Sequence, residues 1–152
     1  MRKGFSLMTA ILFMVVVASL GALALSFSAL SVKQTSDTYL KEQAELLVQS
    51  AAEYALLAIS AHNFSNNCLN TINAQYPNTG TNALFDINIS LYYLGRNLPA
   101  GCQTPSGTTT TSNIDTNDSN LTVIIDTIVS TVTDNNISTE PIRLHRRTIQ
   151  KP

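Results

Sequence analysis

The side chains of this chain that could perform chemistry are few and lie far apart. His62 and His145 are its only histidines, and neither stands at a spacing typical of a metal site or of a nucleophile with its base. Cys68 and Cys102 are too distant for a redox C-x-x-C pair and lack neighbouring ligands for zinc. No glycine-rich phosphate loop is present. We therefore predict that the chain is not an enzyme and needs no cofactor.

The two cysteines have two interpretations. In an exported segment, an even pair predicts one disulfide between Cys68 and Cys102. In a cytosolic protein, two buried free thiols would be expected instead. The choice depends on whether the segment that contains them leaves the cytoplasm.

One polar stretch resembles the oxygen ligands of a calcium loop. Asp115, Asn117, Ser119 and Asp126 fall near the positions that such a loop uses. However, Asn120 stands where the sharp turn requires glycine, and Asp126 falls within a predicted strand. A solvated turn is the simpler interpretation, and calcium is the alternative.

The elements that position these residues begin with an apolar run. The 28 residues from Phe5 to Val32 carry no charge, and about 20 mostly apolar residues suffice to span a membrane. Arg2 and Lys3 precede the run, so the positive-inside bias predicts a cytoplasmic N-terminus and an exported remainder. A cleavable signal ending within ALALSFSAL is the alternative, although secretory apolar regions run only about 7 to 15 residues.

A single long helix is predicted through this run and beyond it. No proline and only one glycine, Gly21, occur between Phe5 and Ala61. The change to asparagine and serine predicts that the helix stops near His62 or Asn63. After the span, apolar residues recur at alternating steps of four and three and predict one buried stripe. The members of this predicted stripe are Leu40, Ala44, Leu47, Ala51, Tyr54, Ala58 and Ala61.

The remainder predicts a small antiparallel sheet of about three strands. FDINISLYYLG alternates with the period of a half-buried strand, NLTVIIDTIVSTVT is β-branched almost throughout, and PIRLHRRTIQ alternates again. A long loop rich in Thr, Ser and Asn separates the first two, and TDNNIS predicts a tight turn before the third. The predicted fold class is therefore α+β, a long N-terminal helix packed on a small antiparallel sheet.

Charge is sorted along the C-terminal part. Five acidic and no basic residues lie from Asn97 to Ile142, whereas four basic and no acidic residues lie from Arg143 to Lys151. A basic end can indicate nucleic-acid binding, but an exported domain would not meet that partner, so we predict none. An edge strand that its charge protects from unwanted pairing is the simpler interpretation. A salt bridge to an acidic neighbour in an assembly is the third.

The N-terminal residues resemble a known family. RKGFSLMTAILF, with its short basic leader ending in glycine, then phenylalanine and a long apolar helix, looks like the type IV pilins and type II secretion pseudopilins. Beyond Ala61 the resemblance rests on architecture alone. It implies a pilin-like fold and a structural subunit of a filament.

The resemblance also implies a processing site. In that family a prepilin peptidase cuts after the leader glycine and methylates the new N-terminus, so the cut falls between Gly4 and Phe5 and the methyl group on Phe5. Gly4 would let the backbone enter a tight protease groove, and Arg2 and Lys3 would hold the bond at the cytoplasmic face. Expected partners are this peptidase, an inner-membrane assembly platform, and other pilins or pseudopilins through the helix.

One residue departs from the family pattern. The fifth residue after the cut is usually a glutamate, thought to neutralise the N-terminus of a neighbouring subunit, but here it is Thr9. A hydroxyl accepts a hydrogen bond from an ammonium group yet supplies no compensating charge. Members without this glutamate tend to be minor subunits that start or cap a filament, so the resemblance implies a minor pilin or pseudopilin.

These inferences predict one domain organisation and location. The expected segments are a leader (1–4), a membrane-spanning and filament-core half-helix (5–32), an amphipathic half-helix (33–62) and an exported head (63–152). The expected location is the inner membrane, with a single pass and a periplasmic head, and later a filament in the periplasm or at the cell surface. A membrane-tethered periplasmic binding module is the alternative function.

Overall fold

The longest element is helix α1, Lys3–Ala61. The computed structural model describes residues 3–95, 98–99, 101–105, 121–132 and 140–151, with side chains from Leu7 onwards. No proline interrupts the helix, and Gly21 is accommodated within it. The N–H of His62 donates to the C=O of Ile59 at 3.2 Å and closes the last turn. The helix thus ends one residue before the predicted stop, where the composition turns polar.

The chain divides into two compact units, Met1–Tyr39 and Leu40–Pro152. In the first unit every side chain from Leu7 to Ser36 is exposed. From Leu7 the helix is long and apolar enough to cross a membrane once, judged by its length and composition. The second unit contains the rest of α1 and a β-sheet.

Four antiparallel strands form this sheet, and their order in space is their order in sequence. They are β1 (Thr71–Tyr76), β2 (Phe85–Gly95), β3 (Leu121–Thr131) and β4 (Arg143–Gln150). The α+β prediction is confirmed, and β2, β3 and β4 match the three predicted strands. The Thr-rich loop lies largely outside the described residues, and the TDNNIS turn lies wholly outside them.

The prediction of about three strands missed β1, so the strand count was wrong. Ile72, Ala74 and Tyr76 of TINAQY lie on the core side of the sheet, opposite Ile89, Ile87 and Phe85, yet five of the six residues are exposed. The residues of β1 alternate between polar and apolar over all six positions, so the signal of a strand is present in TINAQY and the prediction missed it. The strand forms because β2 offers it a ladder of partners from Phe85 to Ser90.

The core lies between the sheet and the part of α1 that begins at Leu40. One cluster joins Ala51, Ala55 and Ile59 of the helix to Tyr93 and Ile125 of the sheet. A second cluster joins Leu40, Ala44 and Val48 to Phe85 and Val129. Alanines on the helix allow its backbone to approach the large residues of the sheet closely. The inward alternation predicted for β2 is confirmed, since Phe85, Ile89, Leu91 and Tyr93 are buried and Ile87 half-buried.

The predicted helix stripe was wrong in its second half. The buried positions are Leu40, Ala44, Val48, Ala51, Ala55 and Ile59, which repeat every eleven residues rather than every seven. A straight α-helix drifts about 20° per heptad relative to a seven-residue repeat. The drift carries Tyr54 and Ala61 out to the exposed surface and brings Ala55 and Ile59 onto the sheet.

Candidate functional site

The disulfide between Cys68 and Cys102 ties the segment after α1 to the segment after β2. The two Cα atoms lie 4.9 Å apart and both residues are buried, so the predicted disulfide is confirmed. Asn70 reinforces the same junction, because its side-chain amide donates to the C=O of Gly101 at 2.9 Å and accepts from the N–H of Gln103 at 3.1 Å. Two separate connections are thereby joined at one end of the sheet.

Tyr93 lies beneath this junction and anchors it to the core. The Tyr93 hydroxyl donates to the C=O of Leu69 at 2.5 Å. The rings of Phe64 and Tyr93 pack edge to face, with their centroids 5.8 Å apart. Burial raises the pKa of Tyr93 to about 12, because the charged phenolate would lose its hydration. The phenol therefore stays neutral and acts as a structural donor.

One cluster of ionisable side chains lies on the outer face of the sheet, which is the face away from the helix. Asp126 of β3 pairs in register with Arg147 of β4, whose Nη2 donates to Oδ2 of Asp126 at 2.5 Å. His145 Nε2 lies in hydrogen-bond contact with Oδ1 of the same carboxylate. The Asp126 side chain is 12 % exposed, whereas those of His145 and Arg147 are more than half exposed. A carboxylate shielded from water thus meets two exposed donors.

These partners set the ionisation of Asp126. Its burial acts to raise the pKa of the carboxyl, but the hydrogen bonds from Arg147 and His145 and their charges outweigh burial, so the pKa lies below its usual value. The pairing with Asp126 also raises the pKa of the Arg147 guanidinium. Asp126 therefore remains ionised and holds β3 and β4 together.

The calcium candidates do not form a described cluster. Asp115, Asn117 and Ser119 lie outside the described residues, and both Asp126 oxygens are engaged by β4. Within the described ranges, no three metal-ligating side chains come together. The calcium alternative stays a prediction for the loop, and the arrangement around Asp126 serves the sheet.

A shallow polar depression lies over β1 and β2, with a volume of about 540 Å³. The side chain of Gln75 donates to Oδ1 of Asp86 at 2.8 Å and accepts from the N–H of Gly80 at 2.9 Å. These two bonds hold Gln75 in place in the lining of the depression. Asn73, Asn88 and Thr79 supply further amide and hydroxyl groups to the lining. The depression thus presents mostly uncharged hydrogen-bonding groups.

Outside its buried stripe, the part of α1 that begins at Leu40 carries exposed apolar residues. Leu46, Tyr54 and Leu57 are 67 %, 56 % and 68 % exposed. Leu46 and Leu47, with Tyr76 at the end of β1, line a groove of about 350 Å³. Sequence periodicity missed this surface, because a seven-residue stripe places Leu47 and Tyr54 on the buried side.

The predicted processing and assembly residues lie at the start of α1. Gly4 and Phe5 fall in its first turn, and Thr9 is exposed. Cleavage between Gly4 and Phe5, methylation of Phe5 and the assembly role of Thr9 stay predictions. The expected partners and the absence of enzymatic activity stay predictions as well.

Comparison with known proteins gives no match, since no family model, no curated protein and no solved structure is significantly similar to this chain.

Proposed function

We propose that this chain is a minor pilin or pseudopilin, a structural subunit of a type IV pilus or of a type II secretion filament. A prepilin peptidase cuts it between Gly4 and Phe5 and methylates Phe5. The helix holds it in the inner membrane with the head in the periplasm until the assembly platform moves it into a filament, which it initiates or caps.

The observation that carries the proposal is an apolar helical segment exposed on every side. From Leu7 to Val32 no side chain is buried or charged, and a helix that is apolar all round needs lipid or a protein core to cover it. These 26 residues give about 39 Å of helix, against a hydrocarbon thickness of about 30 Å. A segment of this kind suits a subunit that passes from lipid into the core of a filament.

A second observation favours a filament over a simple tether. The same helix carries exposed Leu46, Tyr54 and Leu57 beyond the apolar run, outside its buried stripe. A tether needs no apolar side chains there, whereas helices packed side by side in a filament would cover them. The surface therefore supports lateral neighbours along the length of α1.

The alternative is a membrane-tethered periplasmic binding module. The polar depression lined by Asn73, Gln75, Asp86 and Asn88 favours it, because convergent amide groups can orient a polar ligand. In this function the apolar segment would only anchor the head.

The N-terminal residue of the mature protein tests the proposal. Intact-mass analysis of the chain co-produced with a prepilin peptidase should show loss of residues 1–4 and a gain of one methyl group. A Gly4→Leu variant should keep its full length, because the bulky side chain blocks the protease groove. An intact Met1 in the unsubstituted chain would support the tether, and a start near Leu30 would indicate a secreted protein.

A further inference from the structure

Strand β4 lies at one end of the described sheet. In the part of the chain that the structure describes, β4 pairs only with β3. The N–H of Thr131 donates to the C=O of Ile142 at 2.9 Å, so Ile142 directs its backbone groups toward β3. Because backbone groups of an antiparallel strand alternate between its two sides, the odd-numbered residues from Arg143 to Ile149 direct theirs away from β3. The edge therefore offers a row of donors and acceptors to another strand.

This edge is strongly basic on both faces. Arg143 and Arg147 lie on the outer face and Arg146 on the inner face, and all three are exposed. Arg147 is neutralised by Asp126, but neither Arg143 nor Arg146 forms an ion pair with any described residue. Within the described ranges, positive charge without an acidic partner thus flanks the backbone of this edge.

The opposite edge of the sheet does not complement this charge. Strand β1 contains no charged residue. A second copy that joined its β1 to β4 would satisfy the backbone but leave Arg143 and Arg146 without acidic partners. The charge pattern consequently disfavours a self-extending sheet and favours a different, acidic partner.

We infer that the free edge of β4 binds an extended acidic segment of another protein, which joins the sheet as a fifth strand. Main-chain hydrogen bonds would hold the segment, and side chains opposite the arginines would select it. In an antiparallel arrangement the matching sequence is an apolar residue opposite Ile149, followed by acidic residues two, three and six positions later, opposite Arg147, Arg146 and Arg143. Ile149 is 69 % exposed, so its side chain can pack against the apolar residue of the bound segment. The edge offers these groups whether or not the chain joins a filament.

A labelled peptide tests the inference on the full-length chain in detergent micelles. The probe is fluorescein-Val-Thr-Glu-Glu-Thr-Thr-Glu-Thr, and the control peptide replaces each Glu with Gln. Fluorescence anisotropy should show saturable binding of the Glu peptide that weakens with added salt, and little binding of the Gln peptide. Arg143→Gln and Arg146→Gln should each weaken binding by about threefold, which is typical of exposed charge pairs.

Two control variants separate the edge from general attraction between charges. Lys41→Gln removes an exposed positive charge from α1 and should leave binding unchanged. Ile149→Pro removes an outward N–H without touching the ladder to β3, so it should weaken binding more than Ile149→Ala. Circular dichroism checks that each variant is folded.

Several results would overturn the inference. They are equal binding of the Glu and Gln peptides, equal weakening by Lys41→Gln and Arg146→Gln, and no difference between Ile149→Pro and Ile149→Ala. Absence of binding would overturn it too, as would slow hydrogen exchange at the amides of His145 and Arg147 in the free protein, because the edge would then already be covered.

Discussion

At the scale of single residues, Asp126 shows how position in a sheet decides the use of a carboxylate. The sequence places it near possible calcium ligands, but strand register sets it directly beside Arg147 and within reach of His145. These partners follow it by 21 and 19 residues, a separation that no local pattern predicts. Its role depends on the register of β3 against β4, which the sequence alone does not specify.

The ion pairs of Asp126 should make stability depend on pH. The pKa of Asp126 is lowered by folding, so its contribution is present above the unfolded pKa of about 3.9 and is lost as pH falls through the lower folded value. Asp126→Asn should therefore lower the melting temperature by a few degrees at neutral pH and have no such effect at strongly acidic pH. The melting temperature at each pH is measured by thermal unfolding of the full chain in detergent, monitored by near-UV circular dichroism.

Glu53→Gln is the matched control for that experiment. Glu53 is exposed on α1 and forms no ion pair with the described residues. Its substitution removes the same charge and should leave the melting temperature unchanged across the pH range. A deficit in Asp126→Asn that persisted at strongly acidic pH would show that packing, rather than charge, is responsible.

At the scale of elements, what the sequence predicts follows from burial. Strands β2 and β3 are half-buried along their full length, so alternation and β-branching reveal them. Strand β1 is short and almost wholly exposed, and the alternation of polar and apolar residues in TINAQY is the only local signal of it, which the prediction missed. For α1, composition gives the existence and end of the helix, but the buried face follows from helical geometry and from the sheet that it meets. The pairing of Cys68 with Cys102 was predictable because no other cysteine competes.

The identity of the buried face of α1 can be tested by replacing alanines with leucine. Ala55 is fully buried against the sheet, whereas Ala61 is exposed at the end of the helix. Ala55→Leu should lower the free energy of unfolding by about 1 to 3 kcal/mol through overpacking, and Ala61→Leu should change it by less than about 0.5 kcal/mol. Urea unfolding in detergent measures the free energy of unfolding of both variants. A stripe with a seven-residue repeat predicts that Ala61→Leu is the more destabilising change. If Ala61→Leu lost more stability than Ala55→Leu, the buried face described above would be contradicted.

At the scale of the whole molecule, the disulfide holds the second unit together. It joins residues that are 34 positions apart and encloses β1 and β2. Replacing both cysteines (Cys68→Ala with Cys102→Ala) should lower the free energy of unfolding by about 3 to 4 kcal/mol, because the unfolded chain gains freedom. Denaturant titration measures the loss. A reductant should reproduce it in the unsubstituted protein and leave the double variant unaffected; a reductant effect on the double variant would contradict this explanation.

The proposed assembly also predicts an effect of Thr9. Thr9→Glu should leave membrane insertion intact but change where the subunit sits in the filament, because the new carboxylate can neutralise a neighbouring N-terminus. Thr9→Ser keeps the hydroxyl and is the control. Membrane fractionation measures insertion, and a pull-down with the other subunits measures incorporation. Unchanged incorporation of Thr9→Glu would count against the minor-subunit proposal.

The order of the sheet has a consequence for how the second unit acquires its structure. Each strand pairs with the one that precedes it in the chain, so the ladder can grow one hairpin at a time. Because each strand adds to an edge formed by the strand before it, the loop closed at each step is shorter than in a sheet whose order skipped a strand, and less loop entropy is lost. Strand β4 is added last and leaves its basic edge outermost. A chain released in sequence order could therefore build its sheet in that same order, because each new strand finds the strand that it pairs with already present.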